Sequence, residues 1–180
     1  QTRLCNWLSI IYVNAIRGWP LIVLAFFIYF TIPQFLRDIG FGNVRLSALN
    51  AGIIALSLNC GAYMAEIMRA GIQSVPAGQM EAARSLGFHH GEAMKLVILP
   101  QAVKNILPAL GNEFVTIIKE SSIVSVIGIA DLMYRAKGVI AKTYNSLECL
   151  AIAAIMYFIL TFIGGRLIAL MERKMAHGRK

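Results

Sequence analysis

The sequence predicts an all-α, polytopic transmembrane helical bundle. Hydrophobic residues make up 58% of the 180 residues and charged residues only 14%, and the mean hydropathy is +0.67. The apolar residues gather into runs separated by clusters of Arg, Lys, Gly and Pro, which is typical of membrane spans joined by loops. A soluble helical domain is the alternative interpretation, and this composition disfavours it.

Four segments are predicted to cross the bilayer, which takes about 20 residues of helix. They run over Trp19–Leu36, Leu46–Ala65, Ile106–Leu132 and Leu147–Met171. In the first, Pro20 lies in the opening turn, where proline is tolerated. The second is interrupted by Asn50, Ser57 and Asn59, which favours a position inside the bundle. In the fourth, Gly164 and Gly165 predict close helix packing.

The connecting segments predict the orientation of the chain. Linkers at 37–45 and 134–146 lie on one side, and a long middle segment, Arg69–Asn105, lies on the other together with both termini. This second side carries Arg3, Arg17, Arg69, Arg84, Lys95, Lys104, Arg166, Arg173, Lys174, Arg179 and Lys180, against Arg37, Arg45, Arg135, Lys137 and Lys142 opposite. By the positive-inside rule it is cytoplasmic, and so is the C-terminus. The net charge of +8 thus follows from topology, and no aromatic-interleaved basic patch predicts nucleic-acid binding.

No metal site, disulfide framework or catalytic set is predicted. The residues considered are Cys5, Cys60, Cys149, His89, His90 and His177. The cysteines lie in or beside apolar stretches without CxxC or Cys/His ligand spacing, and we interpret them as packing residues. The adjacent histidines would point in different directions on a helix, which disfavours a ligand pair. A membrane-embedded enzyme is therefore a weak alternative.

The middle segment predicts a short helix over Gln79–Leu86, made of strong helix formers. We expect Glu81 in its first turn, where a carboxylate favours the positive helix end, and Gly87 as the left-handed residue that ends it. The small side chains of Ala82 and Ala83 would let another surface approach closely. That surface is either a partner protein or the chain's own bundle.

A second helix is predicted after Phe88. Ala93, Leu96 and Val97 fall on one helical face and form a narrow apolar stripe, and Pro100 is expected to cut the helix. The middle segment is therefore predicted as a helix, a glycine turn and a second helix that leads back to the membrane.

The third span carries polar residues at membrane depth, where charge is expensive and marks a pathway, a pair or a break in the helix. They are Glu113, Thr116, Lys119, Glu120, Ser121 and Ser122. Glu113, Thr116 and Glu120 are spaced to share one face. One interpretation is a polar substrate path or gate. The alternatives are that the charges pair with other helices, or that the helix ends early and places Lys119 in a re-entrant bend.

The stretch EAARSLGFHHGEAMKLVILP resembles the EAA loop of ABC-transporter permeases that work with a solute-binding protein. Glu81, Ala82, Ala83, Gly87, Leu99 and Pro100 stand at the family spacing, and Val97 replaces the usual Ile. The stretches NAIRGWPLIVLAFFIYFTIPQ, GAYMAEIMRAGIQSVPAGQ and KESSIVSVIG resemble the polar amino acid branch, which transports histidine, glutamate, glutamine or arginine. Trp19 departs from the small polar residue common before Pro20, and Lys119–Ile123 departs mildly from a KDTSL-like run.

This resemblance implies the fold of a type I ABC importer permease, a single transmembrane domain over 1–180 with a cytoplasmic coupling loop at 69–105, in the bacterial inner membrane. It implies ATP-driven import of polar amino acids, with a second permease subunit, an ATPase dimer and an extracytoplasmic solute-binding protein as partners. The ATPase interface is expected to include Gln79, Glu81, Ala82, Ala83, Leu86, Gly87, Leu99 and Pro100. Glu81 would be the polar anchor.

The chain itself is expected to be a transport subunit, not an enzyme. No GxxxxGK[ST] motif occurs, so ATP and Mg²⁺ are expected on the ATPase. Such permeases have a further span before the part matching Arg3–Arg17, and residues 1–18 show no signal peptide. We therefore expect the chain to lack its first transmembrane helix. An ion-coupled secondary transporter or channel for a small polar solute is the alternative function, which leaves the EAA-like stretch unexplained.

Overall fold

The computed structural model describes residues 2–177 and is built from helices connected by short turns. The helices are α1 (Thr2–Gly18), α2 (Leu21–Asp38), α3 (Ala48–Gln73), α4 (Ala77–Ser85), α5 (His90–Ile127), α6 (Leu132–Thr143) and α7 (Ser146–His177). Four of them, α2, α3, α5 and α7, are long and apolar enough to cross a membrane. The four predicted spans are thereby confirmed, while Arg179 and Lys180 lie outside the described residues.

Helix α1 runs beside α3, and in the same direction. The Tyr12 hydroxyl donates a 2.8 Å hydrogen bond to the carbonyl of Leu58, and five residues later the Arg17 guanidinium reaches Glu66, 3.6 Å away. Because both positions advance together, the start of α1 lies toward the start of α3. Arg3 is separated from Arg17 by about 21 Å of helix. Placing Arg3 on the same side as Arg17 was therefore wrong.

Two helices pass through a proline by way of a π-helical segment. The segments are Phe27–Thr31 in α2 and Met94–Ile98 in α5, and Pro33 and Pro100 follow them. Proline lacks an N–H and clashes with the carbonyl four residues earlier, which in both helices lies inside the wider π turns. The prediction that Pro100 cuts the helix was wrong, because α-helix resumes at Leu99 and continues to Glu120.

The far end of α5 differs from the predicted third span. Its α-helical part ends at Glu120 and tightens into a 3-10 segment, Ser121–Ile127, which Gly128 closes with φ +92°. The span therefore stops before Leu132. The predicted linker after it is mostly helix α6, whose first turn is capped by the Asp131 carboxylate accepting the Tyr134 N–H at 2.8 Å. Local capping explains a helix that the linker prediction missed.

Close helix packing relies on glycine. A Cβ at Gly111 in α5 would lie 2.6 Å from Ile168 of α7, and one at Gly164 in α7 would lie 3.2 Å from Val115. The packing role predicted for Gly164 is confirmed, whereas a Cβ at Gly165 would meet nothing within 4 Å. Gly111 precedes Val115 in α5, whereas its partner Ile168 follows Gly164 in α7. The two helices are therefore antiparallel.

The core consists of two apolar clusters at opposite ends of the bundle. One joins α2, α3 and the 3-10 segment, around Leu24, Ala55 and Val124. The other lies where α3 ends and α5 begins, around Val75 and Ile98. In contrast, only 6% of the α7 span is buried, against 28% for α3. Most of α7 therefore faces lipid or another protein.

Candidate functional site

The first helix of the middle segment, α4, begins two residues before its predicted start. It spans Ala77–Ser85 and follows Pro76, whose backbone is extended (φ −56°, ψ 136°). Because the helix starts at Ala77, Glu81 falls in the second turn. The prediction of Glu81 in the first turn was therefore wrong, and its carboxylate lies beyond the positive helix end.

The turn after α4 is a Schellman motif centred on Gly87. The Gly87 N–H donates to the carbonyl of Arg84 at 3.0 Å, and the Phe88 N–H donates to that of Ala83 at 3.2 Å. Gly87 has φ +92°, which an L side chain adopts only with strain. The predicted left-handed glycine is confirmed. The next helix starts at His90, where the Glu92 carboxylate accepts the His89 N–H at 2.9 Å.

Polar side chains attach the middle segment to the two long helices on either side of it. The Gln101 side-chain amide of α5 donates to Gln79 of α4 at 3.2 Å and to the carbonyl of Val97 at 2.9 Å. The Asn105 amide of α5 donates to the hydroxyl of Ser74, at the end of α3, at 2.9 Å. Side-chain hydrogen bonds thus join α4 to α5 and the end of α3 to α5.

The Ala82–Ala83 pair is divided between two environments. Ala83 is only 3% exposed and packs within the chain, whereas Ala82 is exposed. For Ala83, the structure favours the chain's own bundle as the surface that the small side chain accommodates. Ala82 remains open to a partner.

The other residues predicted for the ATPase interface all lie on the molecular surface. They are Gln79, Glu81, Ala82, Leu86, Gly87, Leu99 and Pro100. Leu86 is 80% exposed, although a large apolar side chain in water loses the free energy that burial would provide. The middle segment therefore presents an exposed leucine directly after α4.

A charged cluster lies at the same end of the bundle. The Arg69 guanidinium donates to both carboxylate oxygens of Glu66 and to Gln73 at 2.5 Å. Arg17 of α1 approaches the same carboxylate and lies over the ring of Tyr63, 5.4 Å from its centroid. These contacts join α1 to α3 through Arg17 and engage Arg69 within its own helix.

At the opposite end of α5, the structure brings Glu120 to a residue that the sequence analysis did not include in the site. The Asn59 side-chain amide of α3 donates to the Glu120 carboxylate at 3.1 Å. Asn59 is 4% exposed, and Glu120 is half-buried. Sequence reasoning missed the pair because the partners are 61 residues apart. The signal in the sequence was an amide inside an apolar span, because a polar group at membrane depth needs a hydrogen-bond partner.

The remaining residues of the predicted path differ in how they are engaged. Thr116, Ser121 and Ser122 each donate a hydroxyl to a carbonyl three or four residues earlier, at 3.1, 2.7 and 2.7 Å. Glu113 is half-buried and Lys119 is exposed. One alternative to a substrate path finds support, since Glu120 bonds to another helix. Lys119 lies within the α-helix, which ends at Glu120, so the prediction of a re-entrant bend at Lys119 was wrong. The carboxylates and Lys119 are the groups available to a ligand.

Comparisons with known proteins agree with this arrangement. Residues 2–177 match the family described as "Binding-protein-dependent transport system inner membrane component". The chain is 48% identical over 162 residues to the arginine transport system permease protein ArtQ of Bacillus subtilis, covering 88% of this chain and 71% of that protein. It is 34% identical over 172 residues to the glutamine transport system permease protein GlnP of Escherichia coli, covering 96% and 76%.

A solved structure shares the fold as well as the sequence. It is the crystal structure of an amino acid ABC transporter with histidines, with a TM-score of 0.81 and 50% identity, covering 91% of this chain and 73% of that one. These matches support the transporter subunit over the ion-coupled alternative. The chain belongs to the family of binding-protein-dependent transport system inner membrane components, as a multi-pass permease subunit of an ABC importer.

Proposed function

We propose that this permease subunit imports polar amino acids and couples to a separate ATPase through the exposed residues of its middle segment. The observation that carries the proposal is the surface position of Leu86, Glu81 and Ala82, on a segment that the hydrogen bond from Gln101 to Gln79 joins to α5. The names of the relatives support the substrate class, because they specify arginine and glutamine.

Docking would bury Leu86 in an apolar site on the ATPase, with Gln79, Glu81 and the backbone around Gly87 at the polar rim. Interfaces of this kind depend on a few central anchors surrounded by contacts of small energy. Closure of the ATPase pair, driven by ATP and Mg²⁺ bound there, would displace α4. The hydrogen bonds from Gln101 and Asn105 would then move α5 and α3 together.

The end of the bundle that carries the middle segment is assigned to the cytoplasm, with the C-terminus on the same side. When Arg3 is counted at the opposite end, the basic residues near the cytoplasmic side are still Arg17, Arg69, Arg84, Lys95 and Lys104, and the C-terminal tail adds further ones. The positive-inside rule therefore still gives the same orientation. A solute-binding protein would deliver the amino acid at the other end, near α6.

The substrate path is assigned to the half-buried carboxylates of α5. Glu113 and Glu120 share a helical face and offer acceptors for the ammonium group of an amino acid, and the exposed Lys119 offers a counter-charge for its carboxylate. Asn59 orients Glu120 by donating to it. A second permease subunit, identical or related, would complete the path.

Uptake by reconstituted vesicles tests the proposal. The permease, its ATPase and its binding protein are assembled, and radiolabelled arginine, glutamine, histidine and leucine are offered with ATP or without it inside. We expect uptake of at least one polar amino acid, only with ATP. Uptake driven by an ion gradient without ATP would contradict the assignment, as would transport of leucine alone.

A further inference from the structure

An apolar groove lies between α5 and α7. It has a volume of about 430 Å³ and is lined by Leu107, Leu110, Phe114, Ile118, Leu167 and Met171 among others. All of its lining residues are glycine or apolar residues, so no polar ligand group would find a partner inside it. The groove lies within two membrane-spanning helices, where the molecules available to fill it are lipids and other helices.

The groove lies away from the proposed substrate path. At about 100° per residue, Leu107, Gly111, Phe114 and Ile118 form one stripe of α5, with Glu113, Thr116 and Glu120 on the opposite side. The polar side faces α3, as the bond from Asn59 to Glu120 shows. The groove therefore opens on the outer side of α5, away from the amino acid.

A basic side chain lies at one end of the groove. Lys104 lies three residues before Leu107 and seven before Gly111, which places it on the same stripe of α5 one turn beyond the apolar lining. It is exposed. A Lys at this position is suited to a phosphate at the membrane surface, where each basic residue contributes about 1 kcal/mol to the attraction of anionic lipid.

We propose that the groove binds one acyl chain of an anionic phospholipid, with the headgroup phosphate held at Lys104. The lining stripe from Leu107 to Ile118 extends for about 17 Å along the helix axis, about the depth of one leaflet in the roughly 30 Å hydrocarbon core. The chain's net charge of +8 adds to the preference for an anionic headgroup. This lipid site is independent of the proposed substrate and ATPase.

Native mass spectrometry of the purified protein tests the site with phosphatidylglycerol and phosphatidylcholine as probes. We expect one retained lipid and a preference for phosphatidylglycerol that Lys104→Gln reduces roughly fivefold, from the contribution of one surface lysine. Lys142→Gln is the matched control, because Lys142 is also exposed but lies in α6, at the other end of the bundle. Leu107→Trp, which fills the groove, should abolish retention of both lipids.

A second measurement keeps the test independent of variant folding. Phosphatidylglycerol with a photoreactive acyl chain is cross-linked to the unaltered protein, and we expect adducts on Phe114 or Met171. Adducts confined to Phe158 and Ile163, which are exposed elsewhere on α7, would overturn the proposal. Equal retention of the two lipids, or a Leu107→Trp variant that changes only the number of protein copies in the particle, would overturn it too.

Discussion

The middle segment and the Asn59–Glu120 pair occupy opposite ends of α5 and are built in different ways. Around Gly87, bonds between neighbours in sequence shape a turn that leaves Leu86 80% exposed. About 28 Å along the helix from Gln101, Glu120 is held by a buried amide from another helix. One end leaves an apolar side chain exposed on the surface, and the other holds polar groups together inside the bundle.

The two regions should therefore respond differently to substitution, one in partner binding and the other in stability. Changes at exposed positions of the middle segment should weaken partner binding without changing the stability of the chain. Changes at the Asn59–Glu120 pair should lower stability first, because a buried polar group that loses its partner keeps its desolvation cost. The predictions below separate these two outcomes.

The largest effect is expected from Gly87→Val. A Cβ there meets nothing within 4 Å, so the cost is conformational, since a β-branched residue at φ +92° loses about 1–2 kcal/mol and shifts the turn. We expect ATPase co-purification and ATP-driven uptake to fall to background. Gly138→Val is the control, because Gly138 in α6 has equal space and no positive φ. Unchanged co-purification would sink the role assigned to this turn.

Leu86→Ser should weaken ATPase binding by roughly tenfold, the effect of truncating one interface anchor. The thermal midpoint of the permease alone should stay constant. Leu147→Ser provides a matched comparison, because Leu147 is 81% exposed but lies at the start of α7, at the other end of the bundle. The affinity is measured by titrating the ATPase onto immobilised permease. Equal losses of affinity for the two variants would contradict the docking site.

Asn59→Leu should lower the free energy of unfolding by about 1–3 kcal/mol, because Glu120 loses its donor. Replacing both residues by Leu removes the unpaired group, so the double variant should regain part of that loss. Thermal unfolding in detergent measures the parent, Asn59→Leu, Glu120→Leu and the double variant, alongside uptake. Strictly additive losses would show that the pair is not energetically coupled.

The neighbouring alanines should behave differently. Ala83→Leu overpacks a site that is 3% exposed and should cost about 1–3 kcal/mol of stability. Ala82→Leu places the same side chain on the surface and should leave the thermal midpoint unchanged while reducing ATPase binding. Destabilisation of the same size by both would contradict the division of the pair.

The smallest effect is expected from Arg17→Gln. Its ion pair with Glu66 spans 3.6 Å, and the two side chains are 36% and 25% exposed, so solvent screens the pair and its loss should lower the thermal midpoint only slightly. Thermal unfolding at low and high salt measures it, and the difference between variant and parent should shrink as salt rises. A loss several times larger would mean that α1 depends on this contact.

Local signals in the sequence were sufficient for much of the fold. The four spans and the Gly87 turn follow from hydropathy and from the conformational freedom of one glycine. The continuation of α5 through Pro100 could not be predicted, because the π turns that accommodate proline leave no distinct residue pattern. The position of α1 and the pairing of Asn59 with Glu120 depend on contacts across 46 and 61 residues, which no local pattern encodes.

Site-directed cross-linking in the assembled transporter tests the central claim most directly. Cys5, Cys60 and Cys149 are free thiols and are first replaced by Ser, and a single cysteine is then placed at position 82 or 83. We expect Ala82→Cys to cross-link to the ATPase and Ala83→Cys not to cross-link. Equal cross-linking from both positions, or none from Ala82→Cys, would contradict it.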